Sequence, residues 1–186
     1  LKTAQTIKQA AINTDQNLML IYTSRALVYG DHNGKWVDEN SDLLGQSDQA
    51  KILIETENVL QSLNKLRWKT CIFRLSEVYG PGRELESKLV NILPAESNFY
   101  TNMIHIDDVI AAIDYAYEHR LVGIYNLADD DHPTRKELYD AICSKLKVPK
   151  IDWKSDYQMI SEGNRRISNH KIKSTGYNFI HPKRKL

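Results

Sequence analysis

The sequence predicts an α/β fold organised on a parallel sheet, and three observations carry that expectation. Residues 18–30 open with five apolar or aromatic side chains in six and pass at once into Thr23, Ser24 and Arg25. A continuous apolar run with polar groups at its C-terminal end reads as a parallel strand buried on both faces. Two more such runs are expected at 69–75, centred on Thr-Cys-Ile-Phe, and at 122–127, with helical periodicity between and around them. Open α/β sheets hold ligands beyond the carboxyl ends of their strands. Thr23, Ser24 and Arg25 therefore mark the place to look for a site.

Each element has a local reason. Leu1, Ala4, Ile7 and Ala11 recur at helical spacing, and Asn13-Thr-Asp-Gln16 ends that helix before the first strand. A polar loop over 31–44 leads to Ser47-Asp48, which opens a helix running to about Asn64. That helix carries two apolar stripes, Ala50, Leu53, Ile54 and Leu60 on one and Ile52, Val59 and Leu63 on the other. A helix facing a single core needs one stripe. The second predicts a homo-oligomer formed through helices 1–12 and 47–64. After the strand at 69–75, residues 84–93 read as helical up to Pro94, and 102–106 as extended. Asp107 or Asp108 is expected to cap the next helix, whose stripe is Val109, Ala112, Ile113, Ala116 and Tyr117. Thr134-Arg-Lys-Glu137 is a capping box, and a short helix is expected near 169–174 with Gly176 behind it.

Composition excludes several classes. A chain of 186 residues with 41% hydrophobic and 26% charged residues describes one ordinary globular unit. A net charge of +1 offers no field to draw nucleic acid or an anionic membrane. The basic end Lys183-Arg-Lys185 is read as a solvated tail. No run approaches the ~18 apolar residues of a membrane span, and no secretory leader is expected. Cys71 and Cys143 lack metal or redox spacing and read as buried free thiols of a cytoplasmic protein. His105-Ile-Asp107-Asp108 and Asp129-Asp-Asp131 read as helix-cap and turn chemistry, so no metal is expected.

Six motifs then occur in one order: Thr23-Ser24 with Val28-Tyr29-Gly30, Lys51-x-x-x-Glu55, Arg74-Leu-Ser-Glu-Val-Tyr-Gly-Pro-Gly82, His105-Ile-Asp-Asp-Val109, Tyr125-Asn-Leu-Ala-Asp129 and Gly163-Asn-Arg-Arg-Ile-Ser-Asn169. In this order they resemble the NAD-dependent epimerase/dehydratase family, the extended short-chain dehydrogenases, across nearly the whole chain. The resemblance implies a partial Rossmann-like parallel sheet, with the N-terminal strands and Gly-rich turn absent, and a small C-terminal substrate lobe. Residues 1–82 and 107–130 would belong to the sheet, and 83–106 with 131–186 to the lobe. No G-x-G-x-x-G occurs, and the one G-x-G, Gly80-Pro-Gly82, lacks the third glycine.

The family's relay is a tyrosine, a lysine and a serine or threonine. Phenol titrates near ~10, so a neighbouring ammonium must favour phenolate before it can act as a base. Lys51 matches the lysine, but Ser47 stands at the tyrosine position and Arg25 at the usual serine or threonine position. A serine hydroxyl cannot replace phenol in proton transfer, and arginine cannot accept a proton. By resemblance, Lys51 and Ser24 are the candidate catalytic residues, and Thr23, Ser24, Lys51 and Ser76 the candidates for contact with NAD or NADP. Arg25, Arg83, Arg165 and Arg166 are the candidates for a nucleotide-sugar-like ligand, the last two as a bidentate clamp on a diphosphate. Glu77 departs from the family's neutral side chain and would repel a phosphate. The function implied is an atypical NAD(P)-dependent sugar-nucleotide epimerase/dehydratase-like protein; the alternatives are a non-catalytic dimerising or ligand-binding remnant and a fragment of a longer enzyme.

Overall fold

The computed structural model describes residues 1–91, 96–153 and 163–184. Pro94 and Lys185, each given a role from sequence, lie outside the described residues. Helix α1 (Lys2–Ile12) precedes strand β1 (Met19–Arg25), followed by a short β2 (Trp36–Val37) and helix α2 (Asp48–Gln61). Then come β3 (Lys69–Leu75), β4 (Glu77–Tyr79), β5 (Met103–His105), α3 (Ile106–Glu118) and β6 (Gly123–Leu127). Helix α4 (Arg135–Leu146), β7 (Arg166–Ile167) and α5 (His170–Lys173) complete the order.

The main sheet is parallel, in the order β1-β3-β6, with Met19 opposite Lys69 and Cys71 opposite Gly123. Side chains alternate across β3, as strand geometry requires. Cys71 and Phe73 pack with Val109, Ala112 and Ala116 of α3, while Ile72 on the other face meets Ala4, Ala11, Leu60 and Leu63 of the α1 and α2 side. Helices thus cover both faces. Two further parallel pairs, β4 with β5 and β2 with β7, extend the fold beyond the strand tips.

Here one expectation is corrected. β1 is not buried on both faces: Met19 to Tyr22 are half-buried, Thr23 is exposed, and among the described strands β1 pairs only with β3. The fully buried central strand is β3. Apolar content alone does not separate the two positions, because burial depends on a second neighbour that the strand's own residues do not encode.

Helix starts follow their local chemistry. Ser47 Oγ accepts from the Ala50 N–H at the start of α2, and Thr134 with Glu137 forms the full capping box of α4. Helix α3 differs from expectation: its cap is His105, whose Nδ1 accepts from the Asp107 N–H, and not an aspartate. Asp108 is instead fully buried and ties down the C-terminal segment. It accepts from the backbone N–H of Ile180 and His181, and Tyr177 donates its hydroxyl to the Asp108 carbonyl. Residues 84–93, expected as an α-helix, form a 3-10 segment over Leu85–Asn91 within the described part.

Candidate ligand cleft

A cavity of about 460 Å³ opens beyond the carboxyl ends of β1 and β3. Arg25 and Leu75 to Glu77 line it from the strand tips, Phe99 to Asn102 and Arg135 from the second wall, and Gly163 with Arg165 from the third. A shallower hollow of about 370 Å³ lies against Trp36, Val37 and Ser168, away from the strand tips.

The third wall is drawn in by close backbone approach. Gly163 sits at φ 91°, and a Cβ there would lie 2.4 Å from the Asp31 nitrogen, so only glycine fits. Arg165, 5% exposed, donates from Nη1 to the Gly30 carbonyl at 2.9 Å. Three arginines and two carboxylates, Glu77 and Glu96, therefore face one cavity. The Glu77 carboxylate is paired with the Lys88 ammonium, which answers the repulsion expected of it. At the strand tip the Ser76 hydroxyl is buried and has no hydrogen-bond partner among the described residues. A buried polar atom without a partner costs free energy, so it marks a place where a ligand or water completes the bonding.

One row below the tips lies a buried polar layer. Ser24, Arg74 and Asn126 stand in register across β1, β3 and β6. Glu57 of α2 accepts from Ser24 Oγ at 2.5 Å and from Arg74 Nη2 at 2.8 Å. Arg74 Nη1 donates to the Tyr29 hydroxyl at 3.0 Å, and Tyr29 donates to Asn126 Oδ1 at 2.7 Å. Burial pushes the Tyr29 phenol above its ordinary value, so it stays a neutral donor in this chain. Asn126 Nδ2 carries the layer on to the Ser168 carbonyl at 3.1 Å.

No family model matches the chain. Among solved structures, it is similar to a conserved protein of unknown function from Silicibacter pomeroyi, with 25% identity, a TM-score of 0.77, and coverage of 96% of this chain and 66% of that one. It is also similar to a protein assigned provisionally as an NAD-dependent epimerase/dehydratase from Methylobacillus flagellatus, with 21% identity, TM-score 0.76 and coverage of 97% and 70%. A third is MoeE5 in complex with UDP-glucuronic acid and NAD, with 15% identity, TM-score 0.80 and coverage of 96% and 65%. The chain has the epimerase/dehydratase fold, in part. It spans about two thirds of the length of these structures.

Against that fold, the expected site residues separate. Arg25, Ser76 and Arg165 line the cleft. Ser24 does not: it is 1% exposed, with its hydroxyl given to Glu57, because alternate residues of β1 point to opposite faces. Thr23 is exposed on β1, an edge strand among the described residues, and Arg83 is exposed on the turn that its own backbone closes with Gly80. The pair Arg165 and Arg166 cannot clamp one ligand, since successive residues of an extended segment diverge. Arg166 donates from Nε to the Gly34 carbonyl and lies over the Trp36 and Tyr100 rings. Lys51 is exposed on α2 and is not among the residues lining the cleft, and Ser47 at the tyrosine position is a helix cap. Of the four residues assigned to NAD or NADP, only Ser76 is among those lining the cavity. Arg135, Phe99 and Tyr100 were missed: they belong to no motif, although Arg135 follows the legible cap Thr134.

Proposed function

We propose that this chain is an atypical relative of the NAD(P)-dependent sugar-nucleotide epimerases and dehydratases, and that its cleft binds a nucleotide-sugar-like ligand. The observation that carries the proposal is the convergence of Arg25, Arg135, Arg165 and the unpartnered Ser76 hydroxyl on one cavity at the strand tips. A diphosphate calls for guanidinium donors, a base for flat apolar surface and a sugar for hydroxyl partners. The arginines suit the first, Phe99 and Tyr100 the second, and Ser76 the third. Support comes from MoeE5, which holds UDP-glucuronic acid on the same fold.

A role in binding without turnover, a remnant that kept the ligand and lost the reaction, is favoured by a specific observation. Ser47 is spent on the α2 cap and Lys51 is not among the described residues lining the cleft, so these two positions present no phenol-ammonium pair to the ligand. What the chain's own residues do is bind and orient: guanidinium groups fix the anion, and Ser76 donates to or accepts from a hydroxyl. Sequence division into a sheet part, 1–82 with 107–130, and a ligand lobe, 83–106 with 131–186, belongs to the same reading. So do a cytoplasmic location, consistent with the free buried thiols Cys71 and Cys143, and a homo-oligomer through α1 and α2, which expose Ile12 and Ile52.

Titration calorimetry tests the proposal with UDP-glucose, UDP-glucuronic acid, NAD and NADP. Binding of a UDP-sugar is expected, weakened about tenfold or more by Arg25→Ala, which removes a charged hydrogen bond of about 1.5–3 kcal/mol, and about two- to tenfold by Ser76→Ala, which removes a neutral one of about 0.5–1.5 kcal/mol. No heat with either UDP-sugar overturns it. Light scattering of wild type against Ile52→Glu checks the oligomer; a monomeric wild type removes it.

A further inference from the structure

A second cluster lies at the start of α3, where the sequence reads as helix-cap chemistry with no metal expected. His105 at the end of β5, Asp107 in the first turn of α3 and His181 from the C-terminal segment bring three ligand atoms within 4.8 Å of one another. Among the described residues this is the group of histidine, cysteine and carboxylate side chains close enough to hold a metal ion. His181 Nε2 is 2.9 Å and His105 Nδ1 3.3 Å from Asp107 Oδ2, and the two imidazole rings lie 3.8 Å apart.

We propose that His105, Asp107 and His181 form a binding site for a divalent cation of the zinc class, separate from the cleft. The geometry supports it in three ways. Zinc bonds nitrogen and oxygen at about 2.0–2.2 Å, so neighbouring ligands of a tetrahedral ion stand about 3.3 Å apart. The 3.3 Å from His105 Nδ1 to Asp107 Oδ2 equals that value, the 2.9 Å from His181 Nε2 lies below it, and all three ligand atoms stay within 4.8 Å of one another. The orientation of His105 is fixed from behind: a Cβ on Gly80 would lie 3.0 Å from Nε2, so that nitrogen faces backbone, and Tyr79 meets the ring edge-on. Nδ1 is thereby left on the Asp107 side. Finally, His181 is carried to the site by bonds independent of any ion, since Asp108 accepts the N–H groups of both Ile180 and His181. Two neutral imidazoles and one carboxylate leave a fourth position open to water, the ligand set of an accessible zinc site. The side chains are 13%, 50% and 27% exposed, so an ion can enter.

The opposing terms are local. The positive end of the α3 dipole disfavours a cation, and the Asp107 N–H competes for His105 Nδ1. The charge of Asp107 offsets the first, and an ion at His105 Nδ1 replaces the 3.2 Å bond from the Asp107 N–H. A bound ion would fasten residues 177–184 to α3. Through Arg184, which is buried on Asp129 and the Thr101 hydroxyl and so is not part of the solvated tail the sequence suggested, that segment also buttresses a cleft wall.

The test uses tag-free full chain, stripped with a chelator and titrated with Zn2+ alone and with Co2+ alone. One ion per chain is expected, with the visible bands of low-coordinate cobalt and a rise in Tm reversed by chelator. His181→Gln and Asp107→Asn should each weaken binding at least tenfold, while His170→Ala, an exposed histidine outside the cluster, should not. Because Asp107 is half exposed, its variant is expected to keep the apo melting temperature and serves if His181→Gln does not. Absence of binding at millimolar Zn2+, or equal binding by wild type and both ligand variants, overturns the site.

Discussion

Replacing Glu57 by Ala removes the anion from the buried layer under the cleft and leaves Arg74, 2% exposed, with its charge unpaired. Three contacts are lost at once, Nη2 to Oε2 at 2.8 Å and Nε to Oε2 and Oε1 at 3.1 and 3.4 Å, together with the Ser24 hydroxyl bond at 2.5 Å. Breaking a buried pair from one side costs about 3–5 kcal/mol, because the remaining charge stays desolvated. At this chain length each kcal/mol moves Tm by about 2–4 °C, so a fall on the order of 10 °C is expected. The partner experiment separates pairing from packing. In Glu57→Ala/Arg74→Met the stranded charge is gone, and Tyr29 still donates to Asn126. The double variant should therefore recover at least ~2 kcal/mol relative to Glu57→Ala. Urea unfolding followed by circular dichroism at pH 7 gives both numbers. If the two substitutions add within about 0.5 kcal/mol, the layer is not coupled and the reasoning fails.

Other outcomes follow from the same geometry. Ser47→Ala should lose about 1 kcal/mol, the worth of a helix cap, and Ser47→Gly only a few tenths, in the same urea assay. Equal losses would mean Ser47 does more than cap α2. Acid should destabilise the fold through His132, which burial, with Arg184 nearby, pushes down from 6.5 to about 4. The unfolded chain takes up this proton near pH 6.5 and the folded chain does not until about pH 4, so stability falls as pH drops through that window. Full linkage is about 3 kcal/mol, and solvent reaching the half-buried ring reduces it to about 1–2 kcal/mol. His132→Gln should flatten the profile by that amount. Asp129, pushed up to about 6 by burial, works in the opposite sense over part of the window, so the difference between the two proteins is the readout. Gly163→Ala should strain the third wall, lowering Tm and weakening UDP-sugar binding in the protein that still folds; unchanged affinity would separate that wall from the cleft.

What the sequence determined by itself is local. The β3 run Thr70 to Phe73, the capping box at Thr134 and Glu137, and the helical stripe beginning at Val109 each specify their element through neighbours a few residues away. The motif order carried the fold for a similar reason, since its strand and turn residues recur along the chain in one sequence. Tertiary structure decided which face each polar group serves. Ser24 and Arg25 are adjacent, yet one is locked to Glu57 and the other lines the cleft, a consequence of strand alternation and of a helix 32 to 33 residues further on. Asp108 reads as a cap but holds Ile180 and His181, and His105 meets His181 only because that segment folds back. Contacts of this kind join residues more than seventy positions apart, and no periodicity within a window of the chain records them.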